Sequence, residues 1–108
     1  MWLCLNNAFL SVVNKSKKKD CLLVRARRPG DIEKIFPHVA VRETLGTDYR
    51  YRADVARSDV AAKIALLVMD IRYDNFKDSV SDTSLHDAYF RIWDVMARLQ
   101  PGGAYALE

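Results

Sequence analysis

The sequence predicts a single α+β domain, a two-layer sandwich in which a four-stranded, mostly antiparallel sheet carries helices on one face. Short alternating or continuous apolar segments come in pairs, which is typical of antiparallel hairpins. Two later segments repeat apolar residues at helical spacing. A chain of 108 residues, 50% hydrophobic and 29% charged, can bury one core but not two. We therefore expect one globular domain over residues 1–106.

The first predicted hairpin joins residues 8–13 to residues 21–28. The first segment is apolar and rich in β-forming residues, and the second begins as an apolar run and then alternates. The connector between them is polar and cationic, which suits a hairpin turn. Pro29 ends the second strand, and residues 32–36 form a short helix that ends at Pro37.

A second hairpin and two longer helices complete the prediction. Residues 39–44 and 49–55 alternate on either side of a turn containing Gly46. Ser58 and Ser84 are candidate N-caps for the two helices that follow. The first helix carries the apolar stripe Val60, Ile64, Leu67, Val68 and Ile71, and the second carries Leu85, Ala88, Tyr89, Ile92, Trp93, Met96 and Leu99. The order ββαββαα is a circular permutation of the ferredoxin-like order.

Alternation along the middle strands predicts a cationic sheet face. If helices cover one face only, the side chains of Leu22, Tyr49 and Tyr51 point toward the helices and arginines point away. The arginines on this open face are Arg25, Arg27, Arg42, Arg50 and Arg52. Guanidinium groups fork onto phosphates and carboxylates, so the face could bind an acidic protein or a nucleic acid. The alternative is a solvated face on which the arginines pair with residues such as Glu43 and Asp54.

The segment from Tyr73 to Asp82 is the second candidate binding element. Its polar residues Asn75, Lys77 and Asp78 are expected to reach solvent or to bond to the backbone. It is either a recognition loop or a fixed connector between two helices. Three aromatic residues are expected at the core or its edge, where exposure of any one would favour an interface. These are Trp2, Phe90 and Trp93.

Catalysis is a remote alternative that rests on His86. Asp82, Asp87 and Ser79 lie nearby in sequence, but no spacing matches a metal site, and no strand-turn-helix elbow presents the serine. Neither cysteine-based zinc binding nor a nucleotide cofactor is expected, because only two cysteines are present and no glycine-rich phosphate loop occurs. We expect no metal, no cofactor and no enzymatic activity.

Composition bounds the environment and the partners. The net charge of +3 allows nucleic acid or acidic protein partners without requiring either. No apolar run approaches the length of a membrane span, no signal peptide is recognisable, and Cys4 and Cys21 are expected to be reduced, buried thiols. These features predict a cytoplasmic protein without membrane association. Leu107 and Glu108 are expected to derive from a cloning site. The oligomeric state is left open.

Three sequence blocks resemble a family of short bacterial and phage proteins to which no activity is assigned. The blocks are MWLCLNNAFLSVV at 1–13, LLVRARRPGDIEKIFP at 22–37 and NFKDSVSDTSLHDAYFRIWDVMARLQP at 75–101. The resemblance implies a small stand-alone protein carried on a mobile element, and it leaves open an inhibitor of host defence of the anti-CRISPR sort. We therefore expect a non-enzymatic binding protein that acts by protein contact, with nucleic-acid binding as the alternative and a hydrolase around His86 as the remote one.

Overall fold

The computed structural model describes residues 1–102 as an α+β arrangement of an antiparallel sheet and helices, so residues 107–108 lie outside the described part. The strands are β1 (Trp2–Cys4), β2 (Phe9–Val13), β3 (Cys21–Ala26), β4 (Arg42–Glu43) and β5 (Tyr51–Ala56). The helices are α1 (Asp31–Ile35), α2 (Arg57–Met69) and α3 (Thr83–Ala97), with a 3-10 turn at Lys77–Ser79. Within the described residues the predicted count of four strands is therefore wrong by one.

The sheet has the order β1-β2-β3-β5-β4, and every neighbouring pair is antiparallel. The added strand β1 pairs with the outer edge of β2. The four predicted strands are consecutive neighbours, and without β1 the chain order is the predicted ββαββαα. Strands β3 and β4, which α1 connects, run parallel with β5 between them, which is a split β-α-β arrangement.

Helices α1 and α2 cover one face of the sheet. The main core lies between them and the strands, and it includes Leu10, Val24, Ile32, Ala53, Val55 and Val60. As alternation predicted, Leu22, Val24 and Ala26 of β3 contribute to this side. Helix α2 buries Val60, which is 3% exposed, and packs Ile64 and Leu67 against the core, whereas Val68 is 58% exposed and Ile71, beyond the end of the helix, is 47% exposed. The predicted stripe of α2 is thus only partly a core stripe.

Helix α3 packs elsewhere, which corrects the prediction that all helices share one face. Its residues Leu85 and Tyr89 form a second small core with Val80, and Cys4 and Phe9 pack against that core. Cys4 and Phe9 are register partners whose side chains point away from the main core. One end of the opposite sheet face is therefore covered by α3.

Hydrogen bonds from first-turn amides mark where the two longer helices begin. Helix α2 starts directly after β5, and the amide of Arg57 donates to the carbonyl of Asp20 at 2.8 Å. This satisfies one of the unpaired donors of the first turn, so the predicted cap Ser58 lies inside the helix. In α3 the carboxylate of Asp82 accepts a hydrogen bond from the amide of Leu85 at 2.9 Å. Asp82 is therefore the N-cap, and the predicted cap Ser84 is not.

Candidate arginine interface

Three arginines lie side by side in register across the sheet. Arg25 on β3 is paired with Arg52 on β5, and Arg52 is paired with Arg42 on β4. On the other side Arg25 is paired with Ser11, and Ser11 with Trp2 on β1. Neighbouring strands are about 4.8 Å apart, so one row of side chains runs from Trp2 to Arg42 across all five strands. We call the sheet face that carries this row, with Arg27 and Arg50 at its ends, the arginine face.

Tyr49 lies under two of these arginines. The guanidinium carbons of Arg25 and Arg27 lie 4.3 and 4.2 Å from the centre of its ring, and the residue is only 3% exposed. The prediction that Tyr49 faces the helices is therefore wrong. The reason is that β5 begins at Tyr51, so the alternation of the strand does not extend back to residue 49.

The remaining arginines make ion pairs with carboxylates. Arg42 contacts Asp54 at 2.8 Å, and Arg50 contacts Glu43 at 2.6 Å, while each keeps about half of its side chain exposed (51% and 53%). Arg52 is more enclosed, with 20% of its side chain exposed, and its contact to Asp48 is long at 3.5 Å. These contacts match the alternative in which the arginines pair locally. The surface is thus a mixture of cations and carboxylates and not a uniform cationic wall.

The lysine-rich turn between β2 and β3 adds further cations at the margin. A cleft of about 470 Å³ is lined by Lys15, Lys17, Lys18, Leu23, Arg42, Arg52 and Asp54. The hydroxyl of Ser16 donates to Asp54 at 2.7 Å, and this hydrogen bond, together with Arg42, holds the pKa of Asp54 below its ordinary value. Asp54 therefore keeps its negative charge within a mostly cationic cleft.

The 73–82 segment is folded onto α3 by its own contacts. Asn75 accepts a hydrogen bond from the amide of Asp78 at 3.4 Å beside the 3-10 turn, while Asp78 is exposed. The ammonium of Lys77 lies 4.1 Å from the centre of the Trp93 ring. Phe76 packs against the second core. Of the two expectations, a recognition loop and a fixed connector, these contacts favour the fixed connector.

The residues around His86 do not assemble a hydrolytic arrangement. His86 Nδ1 lies 3.8 Å from Asp87, the Ser79 hydroxyl donates to the carbonyl of Phe76, and Asp82 pairs with Arg28 at 3.0 Å while it caps α3. Within residues 1–102 no three His, Cys, Asp or Glu side chains converge to hold a metal ion. Both cysteines are free and half-buried, which is less burial than expected.

A pocket beside Trp2 was not predicted from the sequence. Trp2 is 58% exposed and meets Phe9 edge to face at 5.3 Å between ring centres. Together with α3 these rings enclose a cavity of about 390 Å³ near Arg27 and Arg28. The exposure of Trp2 favours an interface. Neither this exposure nor the position of α3 follows from the local sequence pattern. Phe90 is also exposed, whereas Trp93 is half-buried.

The fold and the surface together describe an antiparallel α+β protein that has a mixed-charge arginine face beside an aromatic pocket. No protein-family model, curated protein or solved structure matches the chain. None of the helices within the first 102 residues combines the length and the apolar character needed to cross a bilayer.

Proposed function

We propose that this protein is a non-enzymatic binding protein that docks an acidic surface of a partner protein on the arginine face. The observation that carries the proposal is the row from Trp2 to Arg42, in which an exposed tryptophan and three arginines are aligned across the sheet. Tryptophan and arginine are the side chains most enriched among the residues that dominate protein interfaces. The 73–82 segment is the second contact in this proposal.

The distribution of charge favours a protein partner over a nucleic acid. Asp48 and Asp54 are interleaved with the arginines, and Glu43 pairs with Arg50 at the edge strand, so a continuous phosphate backbone would meet carboxylates as well as cations. A protein surface can present both signs of charge in a matching pattern. Tyr49, the ring under Arg25 and Arg27, is 3% exposed and so cannot stack a base, which leaves Trp2 as the exposed ring of the row. The resemblance to bacterial and phage proteins suggests a host complex, such as a defence complex, as the partner.

The proposal is tested by capture from lysate of a bacterial host, with and without nuclease, followed by reconstitution with the purified partner. The test variant carries Arg42→Gln and Arg50→Gln, which removes two half-exposed cations. The control carries Arg91→Gln on α3 and Arg98→Gln at the C-cap of α3, which removes the same charge from another exposed surface. We expect nuclease-resistant capture that the test variant weakens at least tenfold and the control does not. Capture that both variants retain equally would overturn the proposal.

Nucleic-acid binding is the second candidate, and the lysine-rich cleft is the observation that favours it. Five cations surround one carboxylate there, and neutralising phosphates would release counterions. Fluorescence anisotropy with single- and double-stranded DNA at increasing salt tests this candidate. Binding that falls steeply with salt, and that weakens in a Lys15→Gln, Lys17→Gln, Lys18→Gln variant, would support it. No binding at low ionic strength would remove it.

A further inference from the structure

The pocket beside Trp2 has apolar walls. It lies between the paired strands β1 and β2 and the helix α3, and its volume is about 390 Å³. The walls are formed by Trp2, Phe9, Leu85, Ala88, Tyr89 and Ile92. Ligand-binding pockets commonly combine such apolar walls with a few polar groups at the rim. Here the occupant would have to be one apolar side chain or a group of similar size.

Arg27, Arg28 and the carboxylate of Asp31 complete the lining of this pocket, and the two arginines differ in whether their charge is already paired. Arg28 donates to both Asp31 and Asp82, so its charge is already paired. Arg27 is exposed, and its Nε donates to the carbonyl of Asp48 at 3.3 Å. Within residues 1–102 the two Nη atoms of Arg27 have no hydrogen-bond acceptor and no ion-pair partner. Arg27 can therefore receive a carboxylate from outside.

The pocket is continuous with the arginine face. Trp2 forms a wall of the pocket and is also the first member of the row that leads through Ser11 to Arg25. An extended segment advances about 3.3 Å per residue, so an apolar residue held at Trp2 would place its neighbours near Arg27. The positive charge of Arg27 therefore favours a bound segment in which acidic residues flank the apolar residue.

We infer that the pocket anchors a partner segment in which an apolar side chain is flanked by carboxylates: the apolar group enters between Trp2 and α3, and a carboxylate pairs with Arg27. This rests on the proposed function and deepens it, because it assigns the recognition element within the acidic partner. The occupant is a short acidic-hydrophobic stretch of a partner protein.

The probe for this inference is the peptide N-acetyl-Glu-Phe-Glu-amide, titrated into uniformly labelled protein and followed by NMR. The indole N–H of Trp2 reports on the pocket, and that of Trp93 serves as the internal reference. N-acetyl-Gln-Phe-Gln-amide removes the charges, and N-acetyl-Glu-Gly-Glu-amide removes the ring. We expect saturable shifts of the Trp2 resonance with the first peptide, weaker binding of the second and none with the third.

Two variants test the two parts of the contact. Ala88→Phe fills the pocket from α3 and should abolish the Trp2 shifts, whereas Ala62→Phe, at an exposed position of α2, should leave them. Arg27→Gln should weaken Glu-Phe-Glu about two- to fivefold and leave Gln-Phe-Gln unchanged, since a single exposed ion pair has an effect of this size. Arg91→Gln is its matched control. Circular dichroism melts establish that each variant is folded.

The failure of this inference can be told apart from failure of the proposed function. If Glu-Phe-Glu leaves the Trp2 resonance unmoved, or if Arg27→Gln weakens both charged and neutral peptides equally, the pocket assignment is wrong. Capture of the partner would in that case still depend on Arg42 and Arg50. If the peptide binds as expected but capture ignores Arg42 and Arg50, the pocket assignment stands and the arginine face is not the docking surface.

Discussion

The guanidinium carbon of Arg25 lies 4.3 Å from the centre of the Tyr49 ring. The two side chains meet on the sheet face that alternation along the strands predicts to be free of helices. The Nε of Arg25 is buried and, among the side-chain atoms of residues 1–102, is the one buried nitrogen without a hydrogen-bond acceptor. Its Nη2 donates to the hydroxyl of Ser11 at 2.8 Å. The negative face of the tyrosine ring compensates part of the missing hydrogen bond. Arg25 is therefore a structural member of the row, and Arg42, with 51% of its side chain exposed, is an accessible one.

Removing the Tyr49 ring is expected to destabilise the protein strongly. Tyr49→Ala should lower the free energy of unfolding by about 3–5 kcal/mol, because the change leaves a cavity in a buried site and takes away the surface on which Arg25 and Arg27 stack. Tyr49→Phe keeps the ring and should lie within about 1 kcal/mol of the wild type. Urea denaturation measures both. Equal losses in the two variants would show that the hydroxyl matters and that the ring stack does not.

The two carboxylates that pair with Arg28, those of Asp31 and Asp82, are expected to contribute unequally to the stability of the fold. Asp31 is 1% exposed and accepts hydrogen bonds from Arg28 and from the amide of Phe9, whereas the Asp82 side chain is 45% exposed. Asp31→Asn removes a buried carboxylate that binds Arg28, Lys34 and the amide of Phe9, and should cost about 1–3 kcal/mol of unfolding free energy.

The matched variant Asp82→Asn should have a much smaller effect, since asparagine also caps a helix and water replaces the exposed contact. Thermal and chemical denaturation of the two variants compare them directly. A ranking in which Asp82→Asn is the more destabilising would contradict the central place of Asp31 in this network.

Tyr89 is expected to make stability depend on alkaline pH. Burial, the largest cause, raises the pKa of Tyr89, whose hydroxyl lies 2.9 Å from the carbonyl oxygens of Leu5 and Ala8. A tyrosine with a raised pKa in the folded state stabilises the fold below the unfolded pKa of about 10, and this contribution is lost as the pH rises beyond it.

Tyr89→Phe should therefore be less stable at neutral pH, by about 1 kcal/mol for the lost hydrogen bond, and should lose less stability than the wild type above about pH 10. Tyr73→Phe, at a side chain exposed to 37%, is the control and should follow the wild type. Denaturation curves at a series of alkaline pH values measure the difference. Parallel decline of all three proteins would count against a buried, neutral Tyr89.

Ser16 is expected to control the titration of Asp54. The Ser16 hydroxyl is the largest cause that lowers the pKa of Asp54, ahead of Arg42. A carboxylate with a lowered pKa stabilises the fold above its ordinary pKa, and that contribution is lost as the pH falls through the folded value. Ser16→Ala should raise the pKa of Asp54 toward the usual value of about 3.9, and Ser58→Ala should not. Carbon-detected NMR of the carboxyl group measures it, and an unchanged pKa in Ser16→Ala would contradict this assignment.

Local pattern was sufficient for the elements whose residues contact their neighbours in sequence or in a hairpin. The hairpin of β2 and β3, the helix over residues 31–35 and the inward set Leu22, Val24 and Ala26 follow from alternation and from the breaks at Pro29 and Pro37. A period of two along a strand is a property of the backbone itself, so it appears in the sequence. The presence of arginines on the face opposite α1 and α2 follows in the same way.

Contacts between distant segments determine the features of the fold that alternation along a strand does not predict. β1 has three residues, too few for a period to be recognised, and it exists because its backbone pairs with the edge of β2. Which face α3 covers depends on its contacts with Cys4 and Phe9, about 80 residues earlier in the chain. How the guanidinium groups of Arg25 and Arg27 are held is decided by Tyr49, which lies outside the strand. These relationships depend on energies of contact between distant segments, and no local period encodes them.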